Sequence, residues 1–531
     1  MNSIKQYVCS ADTARKADAA AIVNCHIPSL VLMEHAASAV ADAVLEHLRQ
    51  TSASRSAPAC VSALCGPGNN GADGMAIMRI LALKGVSCAA WIDFDHLSAD
   101  GKIQALSLEK LCSLPGVDLQ LFPLGDACHA KKNSLLKNSS VIVDALFGIG
   151  LSRPLSGMYL SLVELVNSLN GWVISVDLPS GIDADTGKIQ GGALRADQTV
   201  VLDCIKWGLL LQNGPEYTGN LKLADIGIPA SLHEDPSSAV LVNETVARSM
   251  LPSRKPDANK GTFGKVLMCG GSLRMSGALT MAAKACFACG CGTLTLYTPA
   301  PAAQAIASKM NLAMLLPARA DADGFFAHVH DHPDEIKETF LPYTQLAIGN
   351  GMGTGKGALN VLRAVLLSGK PCVIDADAIN LCGSYPQILD GRKGLILTPH
   401  LKEFSRLSNL PMETILEKPA QSAQAWLTVH PGKVLVLKSD FTLISDGQQR
   451  YIIARPDTAL AKGGSGDVLC GIITGLKAAG ASSLEAAVLG AWVHNQAAKY
   501  AISPYSFTPL DLVSHLGDVF RELDSPEASQ T

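Results

Sequence analysis

The feature that most restricts the fold is a repeated order of three local patterns: an apolar segment, a glycine-rich turn and a helix. In residues 61–85, VSALC precedes GPGNNGADG and then the helical pattern MAIMRILALKG. In residues 265–290, KVLMCGGS precedes the helical pattern GALTMAAKACFACG. Buried apolar strands that alternate with helices are typical of parallel sheets with helices on both faces. The sequence therefore predicts an α/β fold.

The chain of 531 residues is too long for one ordinary domain and favours two domains of about 250 residues each. A polar stretch at 231–262, punctuated by Pro and Ser, separates two α/β series that share no sequence repeat. We expect this stretch to contain one short strand and one short helix. We predict a domain at residues 1–232, a linker at 233–255, a second domain at 256–520 and a disordered tail at 521–531.

The composition is that of a folded chain, with 48% apolar residues, 17% charged residues and a net charge of −4. No long run of Lys or Arg occurs, so nothing indicates binding to nucleic acid or to a membrane surface. The N-terminal residues MNSIKQYVCSADTARKADAA contain no apolar signal core. We therefore expect a soluble cytoplasmic protein that binds neither nucleic acid nor membrane, and we expect it to form a homo-oligomer.

Most of the 15 cysteines stand singly in apolar segments, but Cys286, Cys289 and Cys291 lie close together in AAKACFACGCG. No second CxxC pair or His pair completes a zinc set with them. Small thiols in a helix among Ala and Gly usually pack as small hydrophobic groups. Packing is therefore favoured over a metal cluster for these three residues.

Polar side chains stand at the ends of three apolar strands in the first half of the chain. Asn70 and Asp73 follow the first strand, Asp144 ends the second, and Asp177 and Ser180 follow the third. Ligands of open parallel sheets bind beyond the carboxyl ends of the strands, so we expect these side chains to converge on one crevice. Each acid taken alone also fits a turn or a helix cap. Oxygen donors such as Asn70, Asp144 and Ser180 suit a hard cation rather than zinc.

A second glycine motif, Gly463-Gly464-Ser465-Gly466-Asp467, precedes an apolar segment with helical spacing. Glycines allow the backbone to approach a ligand closely, and the first turn of a helix attracts phosphate. Asp467 would repel a phosphate, but it makes sense as a base that takes a proton from a hydroxyl beside that phosphate. From this motif alone, a helix cap at Asp467 is an equally good interpretation.

Together these motifs resemble a known family. The segments GPGNNGADG, VDALFGIGLSRP and VDLPSGIDADTG are similar to the NAD(P)H-hydrate epimerase domain. The segments NKGTFGKVLMCGGSLRMSGA, IGNGMGTG, VIDADAIN, LTPHLKEF, VLKSDFT and GGSGDVLCGI are similar to the ADP/ATP-dependent NAD(P)H-hydrate dehydratase domain. The chain as a whole resembles the bifunctional NAD(P)H-hydrate repair enzymes of bacteria. This resemblance implies a Rossmann-like three-layer domain fused to a ribokinase-like three-layer α/β domain.

The resemblance also implies a two-step repair of nicotinamide cofactors that carry water added at C6 of the dihydronicotinamide ring. The first domain would interconvert the R and S epimers of NADH or NADPH hydrate. The second would dehydrate the S form with ADP or ATP as phosphoryl donor and with magnesium. In the first domain, the substrate would bind at Asn69, Asn70, Gly71, Ala72, Asp73, Gly148, Ile149, Gly150, Leu151, Ser152, Arg153, Pro154 and the catalytic Asp177. Asn70, Asp144 and Ser180 would hold a potassium ion.

In the second domain, the resemblance implies that Gly353, His400 and Asp467 bind the hydrate and that Asp467 is catalytic. It implies nucleotide contacts at Lys438, Ser439, Asp440, Phe441, Thr442 and Gly466. Phosphorylation would convert the hydroxyl, a poor leaving group, into a good one, and Asp467 would activate that hydroxyl.

Three positions depart from the pattern of the family. The family has Gly-Pro-Gly where this chain has Gly349-Asn350-Gly351, and it has Asn at the position of His35. Its glycine-rich run is replaced here by residues 454–462, which include Arg455 and Asp457. An alternative function is a ribokinase-class kinase of vitamin precursors in the second half, joined to a first domain that binds without catalysis.

Overall fold

The computed structural model describes residues 5–51, 59–129, 133–151, 153–328 and 338–525. These residues form two compact units, one at Gln6–Ser238 and one that begins at Ala239. No helix among the described residues is both long enough and apolar enough to span a membrane.

The N-terminal unit contains a parallel sheet with the strand order β4-β3-β2-β5-β6-β7-β9. Its strands are β2 (Cys60–Cys65), β3 (Ser87–Ile92), β4 (Leu119–Pro123), β5 (Val141–Ala145), β6 (Trp172–Val176), β7 (Gln198–Leu202) and β9 (Asn220–Ala224). Outside this sheet, β1 (Tyr7–Cys9) pairs in parallel with β8 (Ile205–Lys206).

Helices cover both faces of this sheet because its central strands are apolar on both faces. Along β5, Val141 and Val143 enter one hydrophobic cluster, whereas Ile142 enters another. The α-helices of the unit are Ala11–Val23, Ser29–Gln50, Gly68–Leu83, Ala99–Leu111, Ser134–Lys137, Gly157–Asn167 and Gly214–Tyr217. Two clusters on opposite faces of one sheet confirm the predicted three-layer arrangement.

The C-terminal unit is also a sheet packed between helices, with the strand order β13-β12-β11-β14-β15-β16-β17-β18-β19-β10. Its strands are β10 (Ala239–Leu241), β11 (Lys265–Cys269), β12 (Thr293–Pro299), β13 (Met314–Ala318), β14 (Gln345–Ile348), β15 (Cys372–Ile374), β16 (Leu395–Leu397), β17 (Lys433–Lys438), β18 (Phe441–Ser445) and β19 (Arg450–Ala454). Only β18 among these runs antiparallel to its neighbours. The β18–β19 hairpin was predicted from the sequence and is confirmed.

The α-helices of this unit are Glu244–Ser249, Ser276–Ala288, Ala300–Ala307, Lys356–Leu367, Ala376–Ser384, Leu401–Ser408, Met412–Glu417, Pro419–Val429, Ser465–Ala478, Ser483–Ala498, Pro509–Ser514 and Leu516–Asp524. Small residues allow Ser465–Ala478 to lie close against Ser276–Ala288. A Cβ atom added at Gly471 would stand 2.1 Å from the carbonyl oxygen of Ala282, and one at Gly475 would stand 2.5 Å from that of Cys286.

The three clustered cysteines of the sequence lie in this region of close packing. Cys286, Cys289 and Cys291 are all buried and belong to the hydrophobic cluster of the C-terminal unit. Burial raises the pKa of the Cys289 thiol, and a hydrogen bond that the Cys286 thiol donates to Cys291 is the first cause that raises the pKa of Cys286. These thiols therefore pack as small apolar groups, as the sequence predicted.

Two predictions about chain segments need correction. Residues 521–524 of the predicted disordered tail belong to the helix Leu516–Asp524, because Leu516, Val519 and Leu523 are buried on one face. Residues 526–531 lie outside the described residues.

The predicted linker at 233–255 is not a separate segment. Its residues from Ala239 belong to the C-terminal unit, in which β10 pairs with β19 and the helix Glu244–Ser249 follows. The strand and the helix agree with the one short strand and one short helix predicted in this polar stretch, and main-chain pairing with a sheet edge fixes the strand.

We predict that Gly471→Ala lowers the free energy of unfolding by about 2 kcal/mol, because the added methyl group overpacks the contact with Ala282. The matched control is Gly277→Ala on the partner helix, where an added Cβ meets no atom within 4 Å. The control should change stability by no more than about 0.5 kcal/mol. Denaturant unfolding of the two variants checks this, and equal stabilities would contradict the close packing.

Candidate functional site

A cavity of about 650 Å³ lies beyond the carboxyl ends of β2, β5, β6 and β7 in the N-terminal unit. Parallel sheets place their ligand sites at this end of the strands. Its lining includes Arg15, Asp18, Asn69, Asn70, Asp73, Asp100, Phe147, Gly148, Ile149, Gly150, Asp177, Asp203 and Lys206, with apolar residues such as Leu32, Met33 and Ile226 between them. Polar groups therefore project into a largely apolar cavity, as in sites for small molecules.

The stretch 69–73 lies in the first turns of the helix Gly68–Leu83 rather than in a loop. Asn69, Asn70 and Asp73 line the cavity, whereas Ala72 is fully buried. Only a glycine fits at position 71, because a Cβ there would stand 1.8 Å from the carbonyl oxygen of Gly66. The N-terminal turn of this helix therefore faces the cavity, which suits an anionic group.

The turn after β5 contributes a second wall of the cavity. Gly148, Ile149 and Gly150 line it, and the Ile149 carbonyl oxygen accepts a hydrogen bond from Arg15 at 3.2 Å. Of the other residues predicted at this turn, Leu151, Arg153 and Pro154 are not among the residues that line the cavity, and Ser152 lies outside the described residues.

Asp177 and Lys206 form a buried ion pair in the wall of this cavity, with Lys206 Nζ 2.5 Å from Asp177 Oδ1. Asp177 has a positive φ of 69°, and its carboxylate also accepts the Leu202 N–H at 3.0 Å. Lys206 Nζ donates to the Leu202 carbonyl oxygen at 2.8 Å. Both charged groups are therefore fixed in position.

The charge of Lys206 is stabilised by its surroundings in spite of burial. Burial alone lowers the pKa of this ammonium group, but Asp177, Cys204 and Asp203 outweigh burial and raise the pKa above its ordinary value. The pKa of Asp73, across the cavity, is raised well above its usual range by burial and then by the charge of Asp177. The cavity thus holds one strongly fixed ion pair and one carboxyl group that favours its neutral form.

Asp144 and Ser180 meet behind the cavity wall, at the ends of β5 and β6. The Asp144 carboxylate accepts hydrogen bonds from the hydroxyl of Ser180 at 2.6 Å, from its N–H at 2.8 Å and from the Ser175 hydroxyl at 2.8 Å. Burial raises the pKa of Asp144, and these bonds lower it in part. In the described chain the amide nitrogen of Asn70 is buried without a hydrogen-bond partner.

These donors fit the potassium ion that the resemblance implies. A fully buried carboxylate with neutral hydrogen-bond donors is suited to a cation, and a hydroxyl and a carbonyl-type amide oxygen are hard oxygen ligands. Because the two ends of an amide are assigned from their hydrogen bonds, the unsatisfied Asn70 amide can turn its oxygen toward a cation.

In the C-terminal unit, Asp467 lies in the first turn of the helix Ser465–Ala478. Its Oδ1 accepts a hydrogen bond from Asn350 Nδ2 at 2.8 Å, and the same Nδ2 lies 3.1 Å from Asp375 Oδ2. Burial raises the pKa of Asp467 to about 6, the Asn350 hydrogen bond opposes that rise, and Asp375 adds to it. A carboxylate with a pKa near neutrality is suited to act as a base.

Asp375 connects this carboxylate to a lysine. Its Oδ1 accepts the Thr398 hydroxyl at 2.6 Å and lies 3.4 Å from Lys438 Nζ. Burial lowers the pKa of Lys438, but Asp375 and Glu403 outweigh it and the pKa is raised. A Cβ added at Gly466 would stand 3.3 Å from Lys438 Nζ, so the ammonium group lies beside the glycine motif.

The other residues predicted to contact the nucleotide differ in how exposed their side chains are. Ser439 and Thr442 are half-buried and Asp440 is exposed, whereas the Phe441 side chain is buried in the core. Phe441 can therefore contact a nucleotide only through its main chain.

Gly353 follows β14 and His400 follows β16, two strands that both pair with β15. The Gly353 N–H donates to Asp377 Oδ2 at 2.8 Å. His400 caps the helix Leu401–Ser408, because its Nδ1 accepts the N–H groups of Lys402 and Glu403. Burial and then Lys438 lower the pKa of His400, so its neutral form is favoured.

The segment 454–462, which replaces the glycine-rich run of the family, is held by side chains. The Asp457 N–H donates to Asn495 Oδ1 at 2.8 Å, and the Asp457 carboxylate caps the 3-10 turn Thr458–Leu460. Lys462 Nζ donates to the Tyr505 carbonyl oxygen at 2.7 Å. These contacts fix the segment although it lacks glycine.

Three residues of these sites were not singled out from the sequence. Asp375 follows an apolar strand, as Asp144 and Asp177 do, so the same pattern would have identified it. Lys206 stands as a single cation in the apolar run VVLDCIKWGLLL, which is an available signal. Asn350 was noted only as a departure, because its contact with Asp467 spans 117 residues of sequence.

Comparisons with known proteins cover both units. A family model described as NAD(P)H-hydrate dehydratase matches residues 266–517, and one described as YjeF-related protein N-terminus matches residues 29–208. The bifunctional NAD(P)H-hydrate repair enzyme of Moorella thermoacetica is 32% identical over 94% of this chain and 93% of that protein. The enzyme of the same name from Salinibacter ruber is 30% identical over 97% of this chain and 96% of that protein.

Among solved structures, the ADP/ATP-dependent NAD(P)H-hydrate dehydratase of Bacillus subtilis, co-crystallised with ATP and Mg²⁺, is 26% identical to this chain. It covers 53% of this chain and 98% of its own, with a TM-score of 0.44.

We predict that Lys206→Met destabilises the N-terminal unit by about 3–5 kcal/mol, because it leaves the Asp177 carboxylate buried without its partner. The double variant Lys206→Met/Asp177→Asn removes both charges and should be more stable than the single variant. Denaturant unfolding, with hydrogen exchange to locate the change in residues 6–238, measures both. A single variant as stable as the parent would contradict a buried ion pair.

Proposed function

This chain belongs to the family of bifunctional NAD(P)H-hydrate repair enzymes, and we propose that its two units carry the two steps of the repair. The N-terminal unit interconverts the R and S epimers of NAD(P)H hydrate in the strand-end cavity. The C-terminal unit dehydrates the S epimer to NAD(P)H with an adenine nucleotide. Homo-oligomerisation and a cytoplasmic location stay predictions from the sequence.

In the epimerase cavity, Asp177 is the proposed catalytic group. Inversion of a carbon that carries a hydroxyl requires a bond at that carbon to break and re-form, and a proton moves in each direction. Asp177 is the carboxylate that Lys206 and the Leu202 N–H hold in one position on the cavity wall. Its fixed position supports a role in this proton transfer, since catalytic groups need precise placement.

The rest of the cavity supports binding of the cofactor portion of the substrate. The helix turn at 69–73 and the glycine turn at 148–150 would hold phosphate and sugar groups through main-chain N–H groups and amide side chains. Asn70, Asp144 and Ser180 would hold potassium, which would add a positive charge beside these groups. Apolar residues such as Leu32 and Ile226 would contact the ring and exclude water.

In the dehydratase site, Asp467 is the proposed base. As the hydroxyl oxygen at C6 attacks the terminal phosphorus of the nucleotide, Asp467 takes the hydroxyl proton, and the diphosphate or monophosphate product leaves. The phosphorylated hydrate then loses phosphate from C6 and a proton from C5, which re-forms the ring double bond. The helix N-terminus at 464–467 and the Lys438 ammonium group would stabilise the charge on the transferred phosphoryl group.

Magnesium would bind with the nucleotide and supply a charge that neutralises its phosphates. The carboxylate of Asp377 is an oxygen donor of the kind that magnesium prefers, and its charge acts on Asp467. Lys438, Ser439, Asp440, Thr442 and the main chain of Phe441 would contact the nucleotide, and His400 and Gly353 would contact the hydrate.

The strongest support for the dehydratase is the position of the Asp467 carboxylate. It lies beside a glycine motif at a helix N-terminus, its pKa is raised to about 6, and a lysine ammonium group stands next to Gly466. A carboxylate that served only as a helix cap would gain nothing from a network with Asn350, Asp375 and Lys438.

We predict that two single variants each lose one of the two activities when they are supplied with ADP or ATP and a mixture of the R and S hydrates of NADH. Asp177→Ala should consume the S epimer at the parental rate and consume R only as fast as R epimerises spontaneously. Asp467→Asn should still interconvert R and S but should form no NADH. Chromatography of both epimers and the absorbance of NADH measure the two steps, and each variant is the control for the other.

Rapid consumption of R by Asp177→Ala would contradict the role of Asp177. Turnover by Asp467→Asn with retained nucleotide binding would contradict the base assignment. If the parent protein forms no NADH but phosphorylates a vitamin precursor, the C-terminal unit is a ribokinase-class kinase and the proposed dehydratase activity is wrong.

We predict that Asn350→Ala shifts the pH profile of dehydration toward higher pH by about one unit. Asp467 must be ionised to act as a base, so kcat/KM should rise with pH through its pKa of about 6. The Asn350 amide stabilises the ionised form at 2.8 Å, and its removal raises the pKa further.

The matched control for this shift is Asn360→Ala, an amide whose Nδ2 contacts His328 instead. Its profile should coincide with that of the parent. A profile unchanged in Asn350→Ala would show that Asp467 is not the titrating group.

A further inference from the structure

Four side chains that the repair chemistry does not use meet at the turn after β7. Asp203 and Cys204 follow that strand, Cys9 ends β1, and His233 ends the 3-10 helix Ala230–His233. Cys9, Cys204 and His233 are 0%, 1% and 2% exposed. Asp203 lines the strand-end cavity, so the group reaches that cavity on one side.

The four donors form one connected group. The ligand atoms of Asp203, Cys204 and His233 all lie within 4.8 Å of one another, and His233 Nε2 is 2.6 Å from Asp203 Oδ2. The Cys204 thiol makes hydrogen bonds with both His233 and Cys9. The other contact of the Cys9 sulfur is the Ser238 hydroxyl at 3.4 Å.

We propose that Cys9, Asp203, Cys204 and His233 form a binding site for one thiophilic divalent cation of the zinc class. Two sulfurs, an imidazole nitrogen and a carboxylate oxygen are ligands that zinc accepts, and four such ligands complete a tetrahedral site. Two thiolates select against hard cations such as magnesium or calcium. This site goes beyond the repair activities and does not depend on them.

The spacing of the donors suits this geometry. Bonds to tetrahedral zinc of about 2.0–2.3 Å place its ligand atoms about 3.3–3.8 Å apart. The ligand atoms of Asp203, Cys204 and His233 already lie within 4.8 Å of one another, so these three need only a small contraction. The Cys9 sulfur is outside that set and would turn toward the cation from its hydrogen bond with Cys204. The hydrogen bond between Asp203 and His233 opens by less than about 1 Å when both turn to the cation.

Charge balance is provided by a neighbouring residue. A cation with two positive charges, two thiolates and one carboxylate leaves one net negative charge in a buried place. The ammonium group of Lys206 lies next to this group, and the charges of Cys204 and Asp203 both act on it. Lys206 already pairs with Asp177, so it offsets the extra negative charge only in part, and this lowers the cost of burying that charge.

The site would join three segments that are far apart in the sequence. Cys9 comes from the start of the N-terminal unit, Asp203 and Cys204 from the turn after β7, and His233 from the end of the unit. A cation bound there would fix the turn after β7, which also positions Lys206 and the Asp203 wall of the cavity. Metal binding and the stability of this unit would then be coupled.

The test measures metal retention by the full chain. The protein is loaded with Zn²⁺ or Co²⁺ under reducing conditions. A weak chelator then removes loosely bound metal, gel filtration separates the protein from the chelator, and mass spectrometry measures the metal that the protein retains. We expect about one equivalent of zinc per chain. Bound Co²⁺ should show the visible bands of a tetrahedral ion and a thiolate-to-cobalt band in the near ultraviolet.

Two variants and one control assign the metal to this cluster. Cys204→Ser and His233→Asn should each retain at least tenfold less zinc and lose the cobalt bands. Cys88→Ser, which changes a buried thiol of β3 outside the cluster, should behave like the parent. Mass analysis of peptides from the parent protein shows whether Cys9 and Cys204 are free thiols or are joined in a disulfide.

Three outcomes would overturn the proposal. Loaded protein that keeps no zinc after the chelator step has no such site. Equal retention by the parent, Cys204→Ser and Cys88→Ser places the metal on other cysteines. A disulfide between Cys9 and Cys204 in the purified protein assigns the pair to redox chemistry instead.

Discussion

In both units, the site depends on a buried carboxylate at the carboxyl end of a parallel strand. A lysine from another segment stabilises that carboxylate. Asp177 after β6 pairs with Lys206, and Asp375 after β15 pairs with Lys438. Ionised groups of this kind are costly to bury, so each persists only because its partner is close and the main chain supplies further hydrogen bonds. In both folds, an ion pair with lysine thus lowers the cost of burying a carboxylate at the end of a strand.

The two pairs differ in a way that fits the two proposed steps. Lys206 is held by Asp177 at 2.5 Å and by a carbonyl oxygen, so it orients a carboxylate and offers little to a ligand. Lys438 lies farther from Asp375, at 3.4 Å, and beside Gly466. Its ammonium group lies beside the glycine motif, where we propose that the transferred phosphoryl group binds. Asn350, absent from the usual pattern of the family, joins Asp375 to Asp467.

Much of the fold was predictable because local patterns determine it. Apolar strands followed by helices predicted both sheets, and the alternating run around Asp446-Gly447 predicted the β18–β19 hairpin. Only the start of the tail, residues 521–524, was mispredicted, because its polar residues concealed the spacing of Leu516, Val519 and Leu523, which packs the last helix on the core. The stretch 69–73 looked like a loop because glycine is common in turns, yet close packing on Gly66 is what requires it there.

The sites were less predictable than the fold, because their contacts join residues far apart in the sequence. The strand-end rule located Asp144 and Asp177, and the glycine motif located Asp467. Neither pattern could show that Lys206 contacts Asp177 or that His233 contacts Cys204. Those pairings arise only when strands and turns meet in three dimensions, so one sequence without its fold carries no signal for them.

In the proposed dehydration, the hydroxyl at C6 of the hydrate is itself phosphorylated before its oxygen leaves the ring. Hydrate made with ¹⁸O in that hydroxyl, incubated with the protein and nucleotide, tests this directly when the inorganic phosphate is analysed by ³¹P NMR or mass spectrometry. One ¹⁸O atom should appear in each phosphate released. Unlabelled phosphate together with labelled water would contradict it, because the oxygen would then have left without ever joining phosphorus.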